Sequence, residues 1–166
     1  MSRLKTKLYL AYGSNLNINQ MAHRCPSATL MTSGLLKDHQ LLFRGYHEHA
    51  LATVELFNGS SVPVLIWKIT QSDEAALDIY EGFPNLYRKE TVVLQVDCGK
   101  TFDAMIYIMN TTDSDGRPRP LGKPGKHYFN IIMEAYRHLA TNLECSEFDV
   151  RILHQAATKS SNRRNW

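Results

Sequence analysis

Apolar residues along the chain switch between short continuous runs, strict alternation and helical spacing, and these changes mark out its elements. Residues 7–12 (KLYLAY) form a compact apolar run, the pattern of a buried strand, and Gly13-Ser14-Asn15 stops it. Asn17 can cap a short helix through about Arg24, which Pro26 ends. Residues 28–36, 39–46 and 51–57 read as strands, and 62–69 as a stronger one whose Pro63 suggests a strand start or a sheet edge. The hydroxyls of Thr70 and Ser72, the acids Asp73 and Glu74, and Gly82 as a stop then predict a helix over 72–81. Residues 87–97 and 101–109 alternate with β-branched and aromatic side chains and read as a hairpin turning at Asp97-Cys98-Gly99-Lys100. A polar stretch over 110–126 holds three prolines and three glycines, a length expected of a functional lid or a mobile segment. Two helices, 127–141 and 147–157, close the chain, the second with Ser146 as its cap.

Many strands with separate helices, no internal repeat and no linker predict one α+β domain with a mixed, curled sheet. The domain is expected over residues 1–157, with 158–166 as a polar basic tail. At 166 residues, 43% apolar and 21% charged, the chain has the make-up of a soluble globular domain. Its net charge of +3 owes much to Lys159, Arg163 and Arg164 in the tail, so the body is near neutral and no nucleic-acid partner is expected. No apolar run approaches the roughly 18–20 residues of a membrane span, so no membrane partner is expected either. The cysteines, Cys25, Cys98 and Cys145, are odd in number and lack C-x-x-C spacing. With no signal-peptide pattern, they predict a reducing, cytoplasmic location.

Two places could carry chemistry. Tyr12-Gly13-Ser14-Asn15-Leu16 follows a buried strand and precedes a helix, where successive N–H groups can converge on a carboxylate or an oxyanion. The same residues also make an ordinary strand-to-helix turn, and the pattern leaves both readings open. The second and third glycines of a dinucleotide fingerprint and the Lys of a P-loop are missing. Glu81 sits at the negative end of its helix beside Ile79, Tyr80 and Phe83, where the dipole and partial burial would both raise its pKa toward neutrality. An exposed helix end would explain it equally.

Other candidates are weaker. His47-Glu48-His49 lacks a third ligand, and His127, His138 and His154 lie at no ligand spacing. Cys25 follows a helix end rather than opening one, which does not lower a thiol pKa. Ser14 lacks the G-x-S-x-G elbow of a nucleophile. Tyr9, Tyr12, Tyr107 and Tyr128 could line a cavity, or simply fill the core.

In order and spacing, these segments resemble the γ-glutamylcyclotransferase family, which includes AIG2-like proteins and γ-glutamyl amide cyclotransferases. Leu10-Ala11-Tyr12-Gly13-Ser14-Asn15-Leu16, with the downstream Pro26-Ser27-Ala28, is similar to its amino-terminal signature. Leu77-Asp78-Ile79-Tyr80-Glu81-Gly82, followed by Tyr87, resembles the segment carrying the family's catalytic glutamate. Ile106-Tyr107-Ile108-Met109 and Tyr128 match tyrosines lining the family's pocket, and the likeness spans about residues 7–145.

The resemblance implies a small mixed β-barrel flanked by helices, with a cavity at one end. It implies Glu81 as the catalytic residue, and Tyr12, Gly13, Ser14, Asn15, Leu16, Tyr87, Tyr107 and Tyr128 as substrate-binding residues. The expected substrate is a small γ-glutamyl amide, with no cofactor and no metal; a homodimer is left open. The implied reaction is attack of the substrate's own α-amine on its γ-carbonyl, releasing 5-oxoproline and an amine. Glu81 would serve first as base and then as acid, and the loop N–H groups would receive the α-carboxylate or the carbonyl oxygen. The alternative is a binding module for a γ-glutamyl or amino-acid-like ligand without turnover.

Overall fold

The computed structural model describes residues 3–95 and 99–161. Its elements run β1 (Thr6–Ala11), α1 (Ile18–Arg24), β2 (Thr29–Arg44), β3 (Leu51–Thr70), α2 (Gln71–Glu81), β4 (Tyr87–Gln95), β5 (Thr101–Met109), α3 (Lys126–Asn142) and α4 (Val150–Ser161). A single 3-10 turn, Ser14–Leu16, links β1 to α1.

The five strands make one mixed sheet in the order β2-β3-β1-β5-β4. β1 runs parallel to β5 through Tyr9–Met105 and Leu10–Ile106, while β1–β3, β2–β3 and β4–β5 pair antiparallel. The central strands are the most apolar: Leu10, Ile106 and Ile69 are fully buried, and Tyr136 and Leu139 of α3 are fully buried in the same core. The α+β, single-domain expectation holds, but the sheet is not a closed barrel. Its edge strands approach at Gly34, where a Cβ would lie 3.0 Å from Leu94 Cδ2. Side-chain packing, not a hydrogen-bonded ladder, brings β2 and β4 together.

Several local expectations change. The four strands read between residues 28 and 69 are two long ones, which shift register between Lys37 and His39. Asp38, at φ 58°, and Gly59, at φ 84°, form that bulge, and Asp38 Oδ1 accepts a hydrogen bond from Gly59 N at 3.0 Å. Turn-forming residues here bend a hairpin instead of ending its strands. Pro63 lies inside β3 opposite Leu35, beyond Leu65, where the β1 pairing stops, so only β2 flanks it there.

The 110–126 stretch is pinned rather than lid-like. Gly45 N donates to Pro120 O at 2.9 Å, Gly122 N to Phe43 O at 3.0 Å, and Ala50 N to Lys123 O at 3.2 Å. A Cβ on Gly122 would come within 2.4 Å of Gly45 O, so the close approach requires glycine.

α4 starts four residues after Ser146. Asp149 caps it instead, its Oδ1 accepting from Arg151 N at 2.9 Å. The helix also runs past residue 157, because buried Ser160 accepts a hydrogen bond from Phe43 N at 3.0 Å and so ties its last turn to β2. Asp97 and Cys98 of the hairpin turn, and Arg163 and Arg164 of the tail, lie outside the described residues. Among the described residues no helix is long and apolar enough to cross a membrane.

α2 forms where local signals agree. Thr70 and Asp73 make a reciprocal capping box, and Gly82 closes the helix in the left-handed conformation at φ 62°. Because Thr70 ends β3 and Gln71 starts α2, the helix leaves the sheet without slack, and Glu81 is delivered to the carboxyl end of β1.

Candidate active site

β1 ends in the Tyr12-Gly13-Ser14-Asn15 loop, which faces the last turn of α2. Between them lies a cavity of about 190 Å3, bounded by that loop, Tyr9, Tyr80 and Glu81. Its remaining walls come from Tyr87, Tyr107, Tyr128, Leu51, Ala52 and Leu86. Elements far apart in sequence thus bring Tyr12, Gly13, Ser14, Asn15, Glu81, Tyr87, Tyr107 and Tyr128 to one chamber. Leu16 does not join them: it is fully buried in the core, where it closes the 3-10 turn.

Glu81 is the last residue of α2 and reaches toward Asn15, whose Nδ2 donates to Glu81 Oε1 at 3.3 Å. Burial pushes its carboxyl up to about 7, with the Arg24 guanidinium pulling the other way. Buried Asn15 also donates from Nδ2 to Tyr9 OH at 2.8 Å, and its Oδ1 accepts from Arg24 Nη1. Arg24 is stacked on the Tyr80 ring, its guanidinium carbon 3.3 Å from the centroid. The Tyr80 hydroxyl in turn shares a 2.8 Å hydrogen bond with Ser14 Oγ.

The tyrosines divide by what their hydroxyl protons already do. Tyr12 OH donates to Tyr107 O at 2.6 Å, Tyr87 OH to Ala52 O at 2.6 Å, and Tyr107 OH to Asp78 Oδ1 at 2.5 Å. Tyr128 OH instead accepts from Ala52 N at 3.0 Å, as Tyr9 OH accepts from Asn15. A phenol that accepts keeps its own proton to give, so Tyr9 and Tyr128 are the donors this arrangement holds ready. Burial drives the pKa of all five upward, so they face the chamber as neutral phenols.

The loop adds backbone donors. Its 3-10 turn is closed by Leu16 N to Gly13 O at 3.0 Å and Asn17 N to Ser14 O at 3.1 Å, which leaves the N–H groups of Gly13, Ser14 and Asn15 outside its own bonding. At Gly13 a Cβ would point at Ala52 Cβ, 3.4 Å away, and at Tyr128 OH, 3.7 Å away, so glycine keeps the chamber open. The site therefore holds a carboxyl poised to exchange protons near neutrality, facing neutral donors suited to an oxyanion or a carboxylate.

Sequence reasoning missed Arg24, Tyr80, Leu51, Ala52 and Leu86. Arg24 reads as the basic end of a short helix and Ala52 as an unremarkable strand residue; neither carries a local signal. For Tyr80, adjacency to Glu81 was a usable cue.

The weaker candidates stay apart. His47 and His49 occupy the turn between β2 and β3, and no group of three His, Cys, Asp or Glu among the described residues could hold a metal ion. Cys25 is buried with its thiol pushed up to about 11 by burial, which suits packing and not nucleophilic attack.

The sequence profile of the family described as gamma-glutamyl cyclotransferase, AIG2-like, matches residues 9–128. Among curated proteins the chain is similar to the Homo sapiens gamma-glutamylcyclotransferase, at 28% identity over 84% of this chain and 75% of that protein. The Bos taurus gamma-glutamylcyclotransferase is 30% identical over 64% of this chain and 61% of its own length. Among solved structures, one titled gamma-glutamyl cyclotransferase superposes with a TM-score of 0.72 at 24% identity, covering 98% of this chain and 91% of its own. YkqA from Bacillus subtilis superposes with a TM-score of 0.64 at 18% identity, over 80% of this chain and 49% of its own. At these identities the two structures speak for the fold.

Proposed function

The chain belongs to the gamma-glutamyl cyclotransferase, AIG2-like family, and from that premise we propose that it cleaves a γ-glutamyl amide by internal cyclisation, releasing 5-oxoproline and an amine. The observation that carries this reading is the Glu81 carboxyl, its pKa raised to about 7, in the same chamber as the loop N–H groups and the Tyr9 and Tyr128 protons.

A γ-glutamyl amide contains both reacting partners, so holding its bent conformer replaces a bimolecular encounter; orientation of this kind is worth up to about 7–11 kcal/mol. Glu81 takes a proton from the α-ammonium. The freed amine attacks the γ-carbonyl carbon, forming the ring C–N bond. The oxyanion is received by the Tyr128 hydroxyl and the loop N–H groups, a kind of donor worth about 2.7–4 kcal/mol when lost. Protonated Glu81 then returns its proton to the departing nitrogen as the amide C–N bond breaks. The ring nitrogen still carries a second proton, which the restored Glu81 carboxylate takes up and passes to the released amine, leaving a neutral lactam N–H, an ammonium product and Glu81 ionised again.

The test is incubation of purified protein with a panel of γ-glutamyl amides, with mass-spectrometric detection of products. One 5-oxoproline per amine released is expected. Glutamate in place of 5-oxoproline would make it a hydrolase, and binding without product would make it a ligand-binding module; either result overturns the proposal. Because the base must be ionised, kcat/KM should rise about tenfold per pH unit below about 7 and level off above it.

A further inference from the structure

A carboxamide is nearly symmetric in shape, so an asparagine facing a carboxylate must be told which end to present. In this site the instruction comes from outside the chamber. Arg24, at the end of α1, places Nη1 on Asn15 Oδ1. A guanidinium has donors only, so the atom it meets must be the oxygen. The Asn15 NH2 group is thereby turned inward, to Tyr9 OH at 2.8 Å and Glu81 Oε1 at 3.3 Å. Arg24 is itself held, by the Tyr80 ring beneath it and by Gln20 Oε1, 3.3 Å from Nη2. We propose that Arg24 is a positioning residue for Glu81: its grip on Asn15 keeps a donor, and not an acceptor, against the reacting carboxylate.

The inference rests on the cyclotransferase reading for its kinetic consequences, although the geometry stands without it. If the amide turned over, Asn15 Oδ1 would face Glu81, and two acceptors would confront each other in a buried site. Tyr9 OH would then have to donate to Asn15, and its proton would no longer be free for the chamber. The titratable groups that share the chamber with Glu81 are Tyr9 and Tyr12 from the β1 end, Tyr87 from β4, Tyr107 from β5, Tyr128 from α3 and Tyr80 on its own helix. Burial keeps Tyr9, Tyr12, Tyr87 and Tyr128 neutral. Arg24 supplies the cationic influence on Glu81.

The experiment compares wild type, Arg24→Gln, Arg24→Lys, Asn15→Ala and the Arg24→Gln/Asn15→Ala double variant, by two readouts. The first is a carbon-13 NMR titration of the Glu81 carboxyl, assigned by its loss in Glu81→Gln. The second is the pH profile of 5-oxoproline release. In Arg24→Gln the Glu81 midpoint should rise by about half to one unit, and kcat/KM at pH 7 should fall about 10- to 100-fold. Arg24→Lys, which keeps the charge but loses the forked grip, should return the midpoint most of the way to its wild-type value. With Asn15 already truncated, Arg24→Gln should cost little further rate.

A Glu81 midpoint unmoved in Arg24→Gln, or rate losses that simply multiply in the double variant, would overturn the proposal. Should Arg24→Gln fail to fold, Arg24→Lys and Asn15→Ala carry the test: a midpoint raised by Asn15→Ala supports it, and one unmoved sinks it. If wild type releases no 5-oxoproline from any amide tried, the cyclotransferase reading fails by itself, and the titration still decides the role of Arg24.

Discussion

The last turn of α2 carries two acids three residues apart, and their surroundings are opposite. Asp78 meets Lys89 Nζ at 2.8 Å and the Tyr107 hydroxyl at 2.5 Å, and Lys89 is shared with Glu74, which Lys7 also pairs at 2.7 Å. Glu81 meets a neutral amide at 3.3 Å and a ring of neutral phenols, with its one cationic influence held back on Asn15. The lesson is that helix position does not decide what a carboxylate does. A cation in direct contact turns Asp78 into a brace for Tyr107, while its absence from direct contact leaves the Glu81 proton within reach of neutral pH.

The largest effect that would test the contrast is on turnover. Glu81→Gln should keep the fold and lose about 10²- to 10⁴-fold in 5-oxoproline release, the usual worth of a general acid–base group; unchanged turnover would remove Glu81 from the mechanism. The next is on stability, with the opposite sign. A carboxyl whose folded pKa is raised from 4.5 to about 7 holds its proton more tightly in the folded state, so wild-type stability falls as pH rises through that window. Glu81→Gln escapes this loss. It should be the more stable protein at pH 8, by up to about 3 kcal/mol in urea unfolding, with the gain fading to nothing below about pH 4.5.

Asp78→Ala should behave inversely. It strands the buried Tyr107 hydroxyl and removes one of two Lys89 partners, a loss of about 1–3 kcal/mol, with turnover within a few-fold of wild type. Equal losses of turnover at both acids would dissolve the distinction between them. The smallest effect is expected for Lys89→Met. Its pairs are partly exposed, so thermal unfolding should register less than about 1 kcal/mol.

α2 was fully legible in the sequence, because Thr70, Asp73 and Gly82 act on backbone within one turn of themselves. The β2–β3 hairpin was legible only in pieces, since Asp38 and Asn58-Gly59 look alike whether they reverse a chain or bulge a strand; register against the partner strand decides. Ser146 looked a good cap, yet Asp149 stands three residues nearer the helix start. In the chamber, Glu81 and the Tyr12–Asn15 loop carried signals of their own, one as an acid at a negative helix end and the other as a glycine turn after a buried strand. Arg24 had none. Its place in the site depends on the Asn15–Glu81 approach, across 66 positions of sequence, and on a stacking partner in another helix. Leu16 shows the converse: adjacency to the loop suggested a contact, but the 3-10 turn points it into the core.

Ala52 anchors two phenols through its main chain, its N–H to Tyr128 and its C=O to Tyr87, while its methyl group faces Gly13. Anchoring and filling are thereby divided between backbone and side chain at one position. Exchanging that methyl for a larger group would shrink the room for a guest yet leave both aromatic fixtures where they are. Residue 52 thus sets the width of the chamber with its side chain while its own main chain holds two of the chamber's walls.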